Sequence, residues 1–174
     1  RRSVRSYANE PLTLQQVSQL LWAAQGITEP TKGLRTAPSA MAMYPLRVYL
    51  IANNVRDLPA GVYRYIPQGH KIELVQAGDQ HTNIGGQPQM QSAPVLIVYA
   101  ADETQAIARA GEKRARQWTD IEVGHSAQNV LLEEIAQGLV GVGMGGFDEA
   151  KMRSVLQLPA SQTLIYVVSA GKPK

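Results

Sequence analysis

The chain has 174 residues, 44% hydrophobic and 18% charged, which suits one domain with a substantial core and excludes a disordered chain. Seventeen Lys and Arg against fourteen Asp and Glu leave a net charge of +3, dispersed along the sequence, so nothing in it marks a nucleic-acid binder. With no cysteine, disulfides, thiolate metal sites and cysteine nucleophiles are ruled out.

Thr13 precedes apolar positions 14, 17, 20, 21 and 24, a helical spacing that Gly26 ends. Residues 28–35 carry Pro, Lys, Gly and Arg and read as an exposed loop. SAMAMY (39–44) suggests a helical turn, and LRVYLIA (46–52) a strand. AGVYRYI (60–66) and KIELVQ (71–76) flank PQGH as a hairpin, and residues 78–86 suggest a short helix or turn. VLIVYAA (95–101) is continuously apolar, as a buried central strand must be. Residues 104–117 read as a charged surface helix, with Lys113, Arg114 and Arg116 on its solvated face. Residues 120–137 read as a second helix, apolar on most sides and so suited to a core or a subunit interface. A short helix opens at Asp148, and LIYVVSAG (164–171) is the last strand. Strands and helices do not alternate strictly, so the fold class is α+β, one domain over 1–174, with a mixed, largely antiparallel sheet flanked by helices.

No apolar run approaches the roughly 20 residues that span a bilayer. The chain opens on Arg1 rather than Met, so a preceding secretion signal is compatible with it. The cytoplasm is the expected compartment and the periplasm the alternative.

Gly141, Gly143 and Gly146 spell G-x-G-x-x-G. A dinucleotide fingerprint needs a strand before, a helix after, and an acid about 20 residues on. Here residues 131–137 read as helix, and Pro159-Ala160-Ser161-Gln162 offers no acid. The Rossmann reading therefore fails. Four glycines within Gly141–Gly146 still exceed what one turn requires, and backbone without Cβ atoms can approach a flat ligand.

At the other end, RRSVRSY sets Arg1, Arg2, Ser3 and Arg5 in five positions, a combination suited to phosphate oxygens; a solvated basic tail is the plainer alternative. A phosphate grip and a glycine-lined ring site together describe flavin mononucleotide (FMN). None of His70, His81 and His125 has a partner at metal-ligand spacing, and Glu133-Glu134 read as a solvated or interface pair. No G-x-S-x-G and no Walker lysine occurs, which disfavours hydrolases and nucleotidases.

RRSVRSY, TAPSAMAMYPLRVYL, GHSAQNVLLEEIAQGL and GVGMGGFDE, in this order, resemble the nitroreductase superfamily of flavoproteins over nearly the whole chain. The PSAxAxYPLxVY form is similar to its thiazole/oxazole (azoline) dehydrogenase branch. The resemblance implies an obligate α+β homodimer with FMN at the subunit interface. It further implies that Arg1, Arg2, Ser3 and Arg5 hold phosphate and ribityl, that Pro38, Ser39, Ala40 and Met41 lie along the isoalloxazine, and that Gly143, Met144, Gly145 and Gly146 meet its other edge. Lys172, or Lys174, corresponds to a C-terminal phosphate ligand. Two positions depart from the pattern: Ala42 stands where many nitroreductases have Asn, and Met41 where the azoline branch often has Gly. The implied activity is ping-pong reduction of small planar nitroaromatic or quinone-like acceptors by NAD(P)H, with the flavin carrying the redox step. The alternatives are an azoline-type dehydrogenase acting on a peptide or metabolite, and a flavin-binding module without turnover. No catalytic side chain is assigned; Tyr44 reads as a core or ring-wall residue.

Overall fold

The computed structural model describes residues 1–174. Eight strands and five helices follow in the order α1 (Leu14–Gln25), β1 (Ile27–Glu29), β2 (Leu34–Arg35), β3 (Leu46–Ala52), β4 (Gly61–Ile66), β5 (Lys71–Ala77), α2 (Pro88–Ser92), β6 (Val95–Asp102), α3 (Thr104–Ala110), α4 (Glu112–Ala136), β7 (Val140–Met144), α5 (Glu149–Val155) and β8 (Gln162–Gly171), with a 3-10 turn at Ala40–Ala42 between β2 and β3. The main sheet has the order β5-β4-β3-β6-β8-β7, and all its pairings are antiparallel. The fold is thus α+β, and the sheet is more uniformly antiparallel than the sequence suggests.

Period-two alternation divides the core between the two faces of this sheet. Leu46, Val48 and Leu50 of β3 and Ile97 and Tyr99 of β6 pack with Leu20, Leu21, Val123 and Val130, beneath α1 and α4. Tyr49, Ile51, Leu96 and Val98 face the opposite way and meet Met90, Met152 and Val155 of α2 and α5. A central strand apolar on both sides follows from this three-layer arrangement. Ser126 of α4 donates to the Ala24 carbonyl (2.6 Å) and lies 3.2 Å from the Tyr99 hydroxyl, stitching α1, α4 and β6 together.

Thr13 caps α1 in a reciprocal box: its hydroxyl accepts from Gln16 N (3.1 Å), and the Gln16 side chain accepts from Thr13 N (2.9 Å). The loop expected at 28–35 instead closes on itself as the β1–β2 ribbon. The short helix α2 was not visible in the periodicity, being only five residues long. The two helices expected at 104–117 and 120–137 divide differently. The break falls at Gly111, whose φ of 77° glycine adopts without strain, and α4 then runs 25 residues without interruption. Residues 78–86 form turns rather than a helix. No helix is long and apolar enough to cross a membrane.

Candidate functional site

The glycine stretch does not begin as a loop. Gly141 and Gly143 lie within β7, the edge strand, paired with Ala170 and Val168 of β8. A Cβ on Gly141 would stand 1.9 Å from the Ser169 carbonyl oxygen, and one on Gly143 would stand 2.4 Å from the Tyr166 hydroxyl. These two glycines are needed by the fold itself. Gly145 and Gly146 differ: both are exposed, and a Cβ would meet nothing nearer than 4.0 Å and 3.4 Å respectively. No hydrogen bond within the chain uses their amide N–H groups. Internal packing therefore gives no reason for glycine at 145 and 146. Open backbone with free donors is what a flat ligand edge requires.

The N-terminal arm reaches this strand. Ser3 forms a parallel bridge with Gly141, and Val4 N donates to the Gly141 carbonyl at 3.0 Å. The buried Tyr7 anchors the arm from below, its hydroxyl 2.6 Å from Ser169 Oγ, and Ala8 N donates to the Lys172 carbonyl at 3.0 Å. Arg1, Arg2, Ser3 and Arg5 are exposed, and none of the three guanidiniums pairs with a carboxylate. Arg2 spends one nitrogen on the Arg1 carbonyl (3.0 Å); the remaining guanidinium donors beside a hydroxyl, on an arm bonded to the strand that leads into Gly145–Gly146, fit the phosphate end and ring edge of an FMN.

The other expected site residues have surroundings of their own within the chain. The Met144 side chain is buried in the core, 3.5 Å from Gln89 Nε2, because β7 turns that position inward; only its backbone can face a ligand. Lys172 is not free, since its ammonium donates to Glu10 Oε2 at 2.8 Å. Pro38, Ser39, Ala40 and Met41 lie on a separate segment, with no hydrogen bond to the arm or the glycine strand within the chain. That segment is held by α1 and α4: Thr36 Oγ1 donates to the Trp22 carbonyl (3.3 Å), and Asn129 Nδ2 to the Thr36 carbonyl (3.1 Å). Met41, Ala42 and Tyr44 have φ of 54°, 54° and 50°, the left-handed region that side chains rarely adopt.

Two acidic residues escaped the sequence reading. Glu134 is buried beneath Gly141, its Oε1 without a partner, so it is not a solvated surface residue. Burial pushes its carboxyl up to about 8, against the pull of Arg1. Glu122 is buried on the α4 face toward Ser39 and Arg35, and burial raises it to about 7 although both neighbours favour its charge. The apolar pattern of α4 gave no sign of either, because its polar residues are scattered round the helix. The close approach of Glu134 to the Gly141 backbone is a three-dimensional fact with no marker in the sequence. His125 is exposed rather than packed. It lies with Ile121, Gln128, Leu132 and Ile135 along one stripe of α4, whose three large apolar side chains are also exposed.

Comparison with known proteins agrees with the resemblance. The family model "Nitroreductase family" matches residues 1–172. "Putative nitroreductase MJ1384" of Methanocaldococcus jannaschii is 36% identical over 172 residues, covering 97% of this chain and 86% of that protein. The crystal structure of a "putative nitroreductase" from Ralstonia eutropha JMP134 superposes with a TM-score of 0.88 at 30% identity, over all of this chain and 80% of the other. Two less similar structures share the fold. A chain of the Escherichia coli microcin synthetase McbBCD complex with truncated pro-MccB17 gives 0.85 at 20% identity, covering 100% and 70%. The NADPH:FMN oxidoreductase from Vibrio harveyi complexed with NAD+ gives 0.68 at 18%, covering 100% and 66%. An edge strand that carries both an arginine arm and bare glycine backbone is thus set in a scaffold shared with these proteins, and the chain belongs to the nitroreductase family.

Proposed function

We propose that this oxidoreductase is FMN-dependent and works by ping-pong, taking reducing equivalents from NAD(P)H and passing them to small planar, electron-poor acceptors of the nitroaromatic or quinone type. The observation that carries the reading is the junction of three unpaired guanidiniums and Ser3 with the open Gly145–Gly146 backbone on one strand edge. Bound FMN would supply the hydride chemistry at its ring. The chain's own part is to hold and tune it. Arg1, Arg2 and Arg5 meet phosphate with charge-assisted forks, and Ser3 adds a short donor. The amide groups of Gly145 and Gly146 donate to the ring edge, and Pro38 to Met41 form a wall. Lys172, shared with Glu10, adds positive charge near the arm's C-terminal neighbour.

Within one chain the wall and the arm stay apart, and the exposed stripe of Ile121, Leu132 and Ile135 requires cover. A homodimer that buries this stripe would meet both needs, with FMN between the subunits. A second reading, an azoline-type dehydrogenase oxidising a peptide or metabolite, is favoured by the likeness to a chain of the microcin synthetase complex.

The test uses the purified protein supplemented with FMN. A yellow protein whose visible absorption NADH or NADPH bleaches, and a nitroaromatic or quinone then restores, supports the reductase. Bound flavin that neither nicotinamide reduces overturns it and favours the dehydrogenase. A protein that binds no FMN overturns both.

A further inference from the structure

A second site lies away from the arm and the glycine strand. A cavity of about 360 Å3 opens at the C-terminal end of α1, where β3 and β4 meet the segment before β3. Three arginines line it, one from each of three elements: Arg35 from β2, Arg47 from β3 and Arg64 from β4. Val48 and the ring of Tyr65 supply apolar wall, and Gln25 closes the inner end.

The arginine donors in this cavity are only partly used. Arg35 stacks over the Tyr44 ring, 4.5 Å from its centroid, and its Nη1 donates to Gln25 Oε1 at 2.7 Å. That bond fixes the Gln25 amide, which is 1% exposed and lies against the Glu122 carboxyl. Arg35 Nε is buried and unpartnered. Arg47 spends a single nitrogen, Nη1, on the carbonyls of Tyr44, Pro45 and Leu46 (3.2, 3.2 and 3.1 Å) and leaves the rest of its fork free. Arg64 pairs with Glu73 at 2.8 Å, but both are half-exposed at the rim, where such a pair is weak. Glu122 is the carboxyl behind Arg35, and burial leaves it only partly charged at neutral pH. Arg35 itself is pulled below the ordinary guanidinium range by burial, the signature of a cation short of compensation. An unpaired buried donor is costly, and a cavity that sets one beside two further cations is complementary to an anion.

We propose that this cavity is a binding site for a small organic oxyanion, a carboxylate or phosphate monoester carried on a compact apolar body. The fork geometry of Arg35 and Arg47 suits either oxyanion, and Val48 and Tyr65 take the body. A volume of about 360 Å3 admits a one-ring molecule and excludes a whole dinucleotide. The cavity adjoins the proposed ring wall through Met43 and Tyr44, but none of its three arginines belongs to the arm, the glycine strand or Pro38–Met41.

Isothermal titration of the full chain with benzoate, phenyl phosphate and inorganic phosphate tests it. Saturable binding of benzoate or phenyl phosphate is expected, weakened at least tenfold by Arg64→Gln and by Arg47→Lys, which keeps the charge but loses the fork. Benzoate binding alone identifies a carboxylate as the ligand, and phenyl phosphate alone a phosphate ester. The double variant Arg1→Ala, Ser3→Ala, which removes the arm's own grip on phosphate, is expected to bind benzoate as wild type does. Three results overturn the proposal: no saturable binding of either aromatic probe, binding of inorganic phosphate alone, or binding lost in the arm variant but kept in the Arg47 and Arg64 variants. Circular dichroism of each variant excludes loss of fold as the cause.

Discussion

Gly141→Ala and Gly145→Ala should separate what the glycines do for the fold from what they do for a ligand. At position 141 the new methyl would lie 1.9 Å from the Ser169 carbonyl oxygen and 2.6 and 2.8 Å from the Glu134 carboxyl oxygens. The Ser169 oxygen is backbone of the neighbouring strand and cannot rotate away, so β7 and β8 must part by roughly 1.5 Å to restore ordinary contact. Overpacking of this kind costs about 1–3 kcal/mol. Displacing β7 also strains the Val4 N to Gly141 O bond, worth about 0.5–1.5 kcal/mol. A loss of about 2–4 kcal/mol lowers Tm by about 5–15 °C for a domain of this size. At position 145 the methyl meets nothing within 3.9 Å, and stability should change by no more than about 0.5 kcal/mol. FMN affinity should nevertheless fall in Gly145→Ala, because the methyl occupies the space that the ring edge needs. The measurements are Tm at fixed protein and fixed ionic strength without ligand, and FMN affinity by fluorescence quenching. Equal Tm values for the two variants would refute the packing argument. Wild-type FMN affinity in Gly145→Ala would refute the ring-edge assignment.

Arg1→Ala and Ser3→Ala should each weaken FMN retention about 10- to 100-fold, through loss of charge-assisted bonds of roughly 1.5–3 kcal/mol, read by equilibrium dialysis; unchanged affinity would make the arm a solvated tail. Glu134 is raised to about 8 from an ordinary value of 4.5, so between those values the folded chain holds a proton that the unfolded chain has lost. Its contribution is complete below pH 4.5 and disappears as pH rises through 8, with a slope of up to about 1.4 kcal/mol per pH unit. In urea titrations Glu134→Gln should therefore gain stability relative to wild type as pH rises from 5 to 8. Parallel pH profiles would show that the carboxyl is not held neutral. Leu132→Asp sets a charge in the exposed stripe of α4 and should convert a dimer into a monomer by light scattering. A dimer of unchanged mass would move the interface elsewhere.

The period-two and period-3.6 patterns located β3, β4, β6, β8 and α1 closely, because each buries apolar residues along most of its length, and β5 followed from its hairpin with β4 although none of its residues is buried. The boundary between α3 and α4 was misplaced because charge density suggested a change near residue 118, while the backbone breaks where Gly111 takes φ of 77°. The arm and the glycines were readable as separate chemistries. Their contact was not, since Ser3 and Gly141 meet through a pairing between distant parts of the chain. Met144 belongs to both: its motif sets its backbone toward the expected ring edge, while the strand's alternation sends its side chain into the core. Glu122 and Glu134 were not marked because α4 exposes apolar Ile121, Leu132 and Ile135 while burying these two acids, so its polarity pattern does not follow its solvent face.

The segment 41–44 joins these observations. Three left-handed non-glycine residues in four positions cost of order 1–3 kcal/mol each, and such strain persists only where surrounding structure over-determines it. Here Tyr44 N donates to Ser39 Oγ (2.8 Å), Ala42 N to the Ser39 carbonyl (3.0 Å), Met43 N to the Ala40 carbonyl (3.2 Å) and Arg35 N to the Tyr44 hydroxyl (3.3 Å). The position where the azoline branch often has Gly is thus one whose φ of 54° favours glycine, and Met41 holds it at a cost. The departure at Met41 puts a flexible, 62% exposed thioether on this segment. Backbone geometry explains why glycine suits position 41, and the exposed side chain is where the ring contacts of this chain would differ from those of its relatives.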